Sequence, residues 1–357
     1  MFELRDRELA EKVFAALSEM DLDIQLMHVC GTHQDTLVRH GLDSRLREVG
    51  VRVRQGPGCP VCVTTPREIE EAMCLARAGK IVCSYGDMIR VPGAAGSLSD
   101  LRSEGHDVRV VLSVDDAVKM ARTSRKEVVF VSVGFETTTP ASAACLVADP
   151  PQNFSILSAH RTVPEALRLL ASSGDVRIQG LIEPGHVSAI IGTFPYEFLS
   201  SEFHLPQVVA GFEPLDLLMG VWGLARQIKK GEARMENLYT RVVKENGNPR
   251  ARACVERVFE PCDVEWRGFP VIPGSGLILR DEYSRWDARK KHSGDLEMLK
   301  GETFVENSGC RCGEVLRGLI EGEECPMFGT GCTPSTPVGP CMVSREGSCN
   351  ILFRYRK

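Results

Sequence analysis

Short apolar runs rich in β-branched residues recur along the first 215 residues, and stretches of helical periodicity separate them. An amphipathic stretch predicts a helix over about 6–19. The runs 23–29, 51–55, 80–86, 108–114, 127–133, 154–160, 177–182 and 206–212 each predict a strand. Helices are predicted between them. One opens on a capping box, Thr65 with Glu68, and has proline at its first position. Thr162 and Glu165 predict a second box. Further helices are expected from near Thr138 and over 213–228. Strand, loop and helix repeated at this spacing argue for parallel sheets covered on both faces. The number of strands suggests two sheets, with a boundary near 115–125. From about 260 the periodicity fades, and Gly, Pro, Cys and charged residues dominate. That segment predicts a loop-rich cap held together by metal. The expected architecture is α/β: two parallel-sheet, Rossmann-like domains (21–120 and 121–260) facing a cleft, a helix within 1–20 packing on the C-terminal part, and a metal domain over 261–357.

Composition adds one fact to this pattern. A net charge of -5 over 357 residues, with no basic stripe interleaved with aromatics, gives no reason to expect nucleic-acid binding. The apolar runs are far shorter than the roughly 18 residues a membrane span needs, and the N-terminal stretch lacks the core of a signal peptide. A cytoplasmic location is expected, with no membrane contact. Fourteen cysteines are then unusual. In a reducing compartment clustered cysteines bind metal or do redox chemistry more often than they form structural disulfides.

Three motifs follow predicted strands, where open α/β sheets bind their ligands. They are Cys30-Gly31-Thr32-His33, the segment 56–62 that contains Cys59 and Cys62, and Gly134-Phe135-Glu136-Thr137-Thr138. If the two sheets face each other, these loops can line one cleft. The C-x-x-C at 59–62 opens a helix, where the dipole and free N–H groups favour thiolate. It can form a disulfide or chelate one soft metal ion, and two thiols leave a tetrahedral site incomplete. Cys30 and His33 could complete it. The rivals are a thioredoxin-like redox pair and a turn with two buried cysteines. Glu136 is either a cleft carboxylate or a charge that offsets a helix dipole. His186, in Glu183-Pro184-Gly185-His186, marks another loop-to-helix entry. No phosphate loop or dinucleotide fingerprint occurs.

The tail has the spacing C-x-C-x12-C-x6-C-x8-C-x7-C over Cys310, Cys312, Cys325, Cys332, Cys341 and Cys349. Six thiols exceed the four that a cluster or a zinc ion needs. On an extended chain Cys310 and Cys312 point to opposite sides, which leaves four ligands and a spare pair. Iron–sulfur is favoured over a zinc ribbon, since the segment has no C-x2-C knuckle.

Together, CGTH at 30–33, GPGCPVC at 56–62, GFETT at 134–138, PGHVS at 184–188 and the cysteine-rich tail resemble the HypD family of NiFe-hydrogenase maturation factors, in order and over nearly the whole chain. The resemblance implies a scaffold on which an iron atom carrying cyanide and carbon monoxide is assembled for the hydrogenase large subunit precursor. It implies a HypC-type small chaperone and a HypE-type cyanide donor as partners. By the same resemblance Cys30, Cys59 and Cys62 are the cleft thiols that hold the iron, with Thr32, His33 and Glu136 beside them. It also implies a 4Fe-4S cluster on Cys310, Cys325, Cys332 and Cys349, with Cys312 and Cys341 as a redox pair. Cys312 in place of Cys310 as ligand stays open. Apart from the resemblance, two rivals stand: an iron–sulfur-dependent disulfide oxidoreductase acting on a protein, and a zinc-stabilised binding module.

Overall fold

In a computed structural model, which describes residues 6–174 and 177–356, each of the eight apolar runs forms a strand. They are β1 (Ile24–His28), β2 (Val51–Gln55), β3 (Ile81–Ser84), β4 (Val108–Val110), β5 (Val128–Gly134), β6 (Phe154–His160), β7 (Gly180–Pro184) and β8 (Gln207–Ala210). Every residue of β5 and β6 is buried, as strands covered on both faces must be. All their pairings are parallel. The expected α/β class with two parallel sheets is therefore observed.

The division of the chain between the sheets differs from the expected single boundary. One sheet has the order β2-β1-β7-β8-β9, where β9 is the short strand Met235–Asn237. The other has the order β4-β3-β5-β6. The second sheet is thus inserted whole between β2 and β7 of the first. β7 returns to pair with β1, Met27 opposite Leu181. No boundary near 115–125 separates the sheets, since that point falls inside the helix Val114–Thr123.

Two further expectations change. The N-terminal helix, Arg7–Ser18, buries Val13, Phe14 and Leu17. These side chains join the first sheet's core with Leu42, Leu46, Leu217 and Val221, so the helix packs there and not on the C-terminal part. The segment after 258 also begins with regular structure. The strands β10 (Phe259–Glu265) and β11 (Val271–Leu279) form an antiparallel hairpin. Phe259, Leu277 and Leu279 join the second sheet's core beside Phe130 and Ile156. Beyond the hairpin, short helical turns and loops follow, as expected. No helix of the described residues is long and apolar enough to cross a membrane.

The helix Pro66–Arg77 carries the predicted capping box, with Thr65 and Glu68 bonded both ways. The predicted box at Thr162 does not form. Thr162 makes no side-chain cap bond; instead Glu136, from the second sheet, accepts from the first amide of the helix, Val163 N, at 2.9 Å.

Candidate functional site

The carboxyl ends of β1, β2 and β7 lie side by side, because His28 is paired with both Gln55 and Ile182. Cys30, the 56–62 turn and the 183–186 turn therefore leave the first sheet at one edge. The first two turns touch. Gly31 N donates to Gly58 O at 3.3 Å. A Cβ on Gly58 would lie 2.1 Å from Cys30 N, so only glycine lets the two turns approach this closely. Cys59 and Cys62 form a disulfide and are fully buried. The helix they open, Pro60–Val63, is one turn long.

Cys30 caps the helix Gly31–Arg39. Burial pushes its thiol up to about 12, although bonds from the His33 and Thr32 backbone and the Thr32 hydroxyl favour the anion. Desolvation wins over the helix terminus here, so the isolated site holds a neutral thiol. The expectation of a ready thiolate at a helix start does not carry over to Cys30. Thr32 itself is exposed.

The two histidines exchange the weight the sequence suggests for them. His33 is buried, and its Nε2 lies 2.9 Å from Gly211 O, which makes Nε2–H the donor. Its ring packs on Phe212. Burial, reinforced by His28 and His186, holds it neutral, well below the usual range. His33 thus pins its helix to the loop after β8. His186 is the histidine at the thiol, with Nδ1 3.7 Å from Cys30 Sγ. Burial lowers it to about 4.

Glu136 arrives from the second sheet, in the turn after β5. One oxygen caps Val163 N. The other is buried without a partner, and desolvation raises the carboxyl to about 7. Glu136 also lines a groove of about 500 Å³ with Arg168, Phe194 and Arg252. Two residues that the sequence reading missed complete the site. Glu183 is fully buried with no partner on either oxygen, and desolvation raises it to about 8. Tyr196 is equally buried. Tyr196 is pushed well above its usual range by desolvation and by the charges of Glu183, Glu136 and Cys30, so groups from both sheets converge on it. The available signal was Glu183, an acid inside an otherwise apolar strand.

In the tail, all six cysteines line one cavity together with Val315, Met327, Phe328 and Met342. Cys312 Sγ and Cys341 Sγ are 2.7 Å apart. Cys310 and Cys312 do not point to opposite sides. Arg311 has φ -99° and ψ 30°, which is not extended backbone, and both thiols face the cavity. Gly339 closes it, since a Cβ there would lie 2.5 Å from Cys310 Sγ. Soft donors in an apolar wall match what an iron–sulfur cluster requires. Among the described residues no three or more His, Cys, Asp or Glu are grouped to hold a single metal ion.

The cage and the cleft share a core. Cys59, Cys62, Cys312, Cys332, Cys341 and Cys349 belong to one buried cluster. Two further contacts tie tail to cleft: Glu346 abuts Gly31, and Gln34, bonded to His28 at 2.8 Å, reaches Ser348 at 3.5 Å.

The chain matches the family described as "HypD: Hydrogenase formation hypA family" over residues 6–356. It is 43% identical to a putative hydrogenase expression/formation protein of Methanocaldococcus jannaschii, covering all of both chains. It is 42% identical to the hydrogenase maturation factor HypD of Rhizobium leguminosarum, over 99% of this chain and 94% of the relative. With the HypD of Cupriavidus necator the identity is 41%, over 99% and 96%.

Proposed function

The chain belongs to the HypD family of hydrogenase maturation factors, and from that premise we propose that it is the scaffold on which the Fe(CN)2CO unit of a NiFe hydrogenase is assembled. The iron is cargo. Cys30, Cys59 and Cys62 are its thiol ligands, and assembly takes place in the cytoplasm. A HypC-type chaperone shares the iron, a HypE-type donor supplies cyanide, and the large subunit precursor receives the finished unit. A 4Fe-4S cluster on Cys310, Cys325, Cys332 and Cys349 would supply electrons singly, and Cys312 with Cys341 is the adjoining redox pair.

One observation carries this reading: the turn that holds the buried disulfide packs through Gly58 on the backbone of Cys30, while the disulfide shares a core with cysteines of the tail cage. Reduction breaks the Cys59–Cys62 bond with two electrons and two protons and frees two thiols next to the third. Three sulfur donors suit low-spin iron(II) with strong-field ligands. Cys30 must lose its proton to bind, and His186 Nδ1, at 3.7 Å, is placed to take it. Thr32 stabilises the anion that forms, and Glu136 lies in the cleft for proton handling.

Anaerobically purified protein, co-produced with its partners, is expected to show infrared bands of iron-bound cyanide and carbon monoxide. Cys59→Ala and Cys62→Ala are expected to lose them while keeping iron and sulfide in the tail. Bands that persist in either variant overturn the reading. The preformed disulfide also suits an oxidoreductase acting on a protein disulfide. That alternative needs no iron in the cleft, and a wild-type protein that turns over a disulfide substrate but never shows the bands would favour it.

A further inference from the structure

Arg267 is a buried cation whose hydrogen bonding is left open. Its backbone N–H donates to Val63 O at 2.9 Å and its Nε–H to Thr64 O at 2.8 Å. These bonds lock the side chain against the strip that leaves the Cys59–Cys62 turn. The side chain is 4% exposed, and Nη2 is buried with no hydrogen-bond partner. Glu306 comes to 3.9 Å of Nε, beyond hydrogen-bond reach. A guanidinium carries five donors and no acceptor, and a buried donor left open costs free energy until a partner completes it.

The same side chain lines a cavity of about 390 Å³ with Pro66, Gly93, Asn307 and Val338. Among the described residues that line it, Arg267 is the one cation, and Glu306 is the one anion. A phosphate dianion calls for several cations or a row of amides. A single planar guanidinium with one terminal nitrogen unpartnered matches a carboxylate. The place also matters. Val338 N–H donates to Cys332 Sγ at 3.3 Å, so one wall of the cavity is bonded to the cysteine cage. The charge of Arg267 acts on Cys312 and Cys341. Val305, which also lines the cavity, is 75% exposed, so an incoming group meets an apolar lip.

We propose that this cavity is a carboxylate-binding site, with Arg267 as its fork and Glu306 as a neighbouring carboxylate that repels the ligand. The carboxylate belongs either to a free small acid or to an Asp or Glu side chain of a protein that docks beside the cysteine cage. The site stands apart from the iron reading, because binding is measured without any loaded iron.

Malonate and an acetylated tetra-aspartate peptide are titrated calorimetrically into the full chain and into Arg267→Gln and Glu306→Gln. Wild type is expected to bind saturably. Arg267→Gln weakens binding roughly tenfold or more, the loss of one charged hydrogen bond. Glu306→Gln strengthens it roughly threefold, the relief of one screened repulsion. Tighter binding of malonate assigns the site to a small acid, and tighter binding of the peptide to a docking protein. Arg267→Gln also gives up the bond to Thr64, so Glu306→Gln carries the decision. No saturable heat with either probe in wild type and Glu306→Gln, or binding that Glu306→Gln leaves unchanged, overturns the proposal.

Discussion

Two sets of buried carboxyls are treated in opposite ways. Glu68, on the helix after the disulfide, receives both guanidinium nitrogens of Arg161, at 2.7 and 2.8 Å. Arg289 stands behind and pairs with Glu71 at 2.8 Å. Burial alone would raise Glu68. The charge and hydrogen bonds of Arg161, with the charge of Arg289, hold it below its usual range instead. Glu183 is no less buried, yet neither oxygen has a partner, and burial raises it to about 8. Glu136 is intermediate, with one oxygen satisfied. Burial by itself therefore separates nothing. The hydrogen-bond account does: the satisfied set clamps the disulfide-bearing segment to the hairpin and the second sheet, and the open set acts on Tyr196, as Cys30 also does. Open buried carboxyls persist where a site needs them.

The largest effect is expected on the satisfied side. Arg161→Met removes the partner of a carboxyl that cannot reach water. Breaking one half of a buried pair costs about 3–5 kcal/mol. Urea unfolding of the purified variant checks this. A loss under about 1 kcal/mol would mean that the network is dispensable, and the contrast with Glu183 would collapse.

The open side predicts a smaller effect that depends on pH. The unfolded chain titrates Glu183 near its ordinary value of 4.5, and the folded chain near 8. Between those values the folded state holds a proton that the unfolded state has lost. Stability is thus present below about 4.5 and is lost as pH rises toward 8. The buried histidines His28, His160 and His186, lowered to about 4, act in the opposite sense and only below about 6.5. From pH 6.5 to 8 the raised carboxyls dominate, with the raised thiols, such as Cys30, joining in the same sense only near the upper end. At about 1.4 kcal/mol per pH unit, Glu183 costs roughly 2 kcal/mol over that window. Glu183→Gln should flatten the decline by that amount in unfolding midpoints measured from pH 6.5 to 8. A variant whose slope matches wild type would show that the carboxyl has a partner after all.

How much of this was legible in the sequence follows from range. The eight parallel strands were readable because each is a local run of apolar, β-branched residues. β9 is only Met235–Asn237, too short to carry a period. β10 alternates polar and apolar residues through Phe259–Glu265, which reads as a break in the apolar pattern although period two is a strand's own signature. The insertion of one sheet into the other depends on β1 meeting β7 across some 150 residues, and nothing local specifies that pairing. The same holds at the site. The loop motifs announced Cys30 and Cys59–Cys62, but the contact of Cys30 with His186 spans 156 residues. The ranking of His33 above His186 had only proximity in sequence behind it. Arg311 shows the reverse failure, a local assumption of extended backbone that the start of the next helix overrides.

The smallest effect tests the same contrast at two threonines that look alike in sequence. Both Thr65 and Thr162 precede a proline-containing first turn and stand three residues before a glutamate. Thr65 is inside a closed box: its hydroxyl donates to Glu68 Oε2 at 3.0 Å and accepts from Glu68 N at 3.5 Å. Thr162 is the cap in name only. Its hydroxyl is buried without a partner, and the side chain that serves the helix start is Glu136, at the amide of Val163. Valine keeps the shape and removes the hydroxyl. At Thr65 it deletes a cap and leaves Glu68 N–H open, at a cost of about 1 kcal/mol. At Thr162 it deletes a group whose desolvation is already uncompensated, so stability should hold within about 0.5 kcal/mol or rise. Parallel urea titrations of the two variants decide it. Equal losses would mean that the Thr162 hydroxyl does bond, and that Glu136 shares the cap instead of owning it. In that case Glu136 would be freer to serve the cleft than its present bond to Val163 allows.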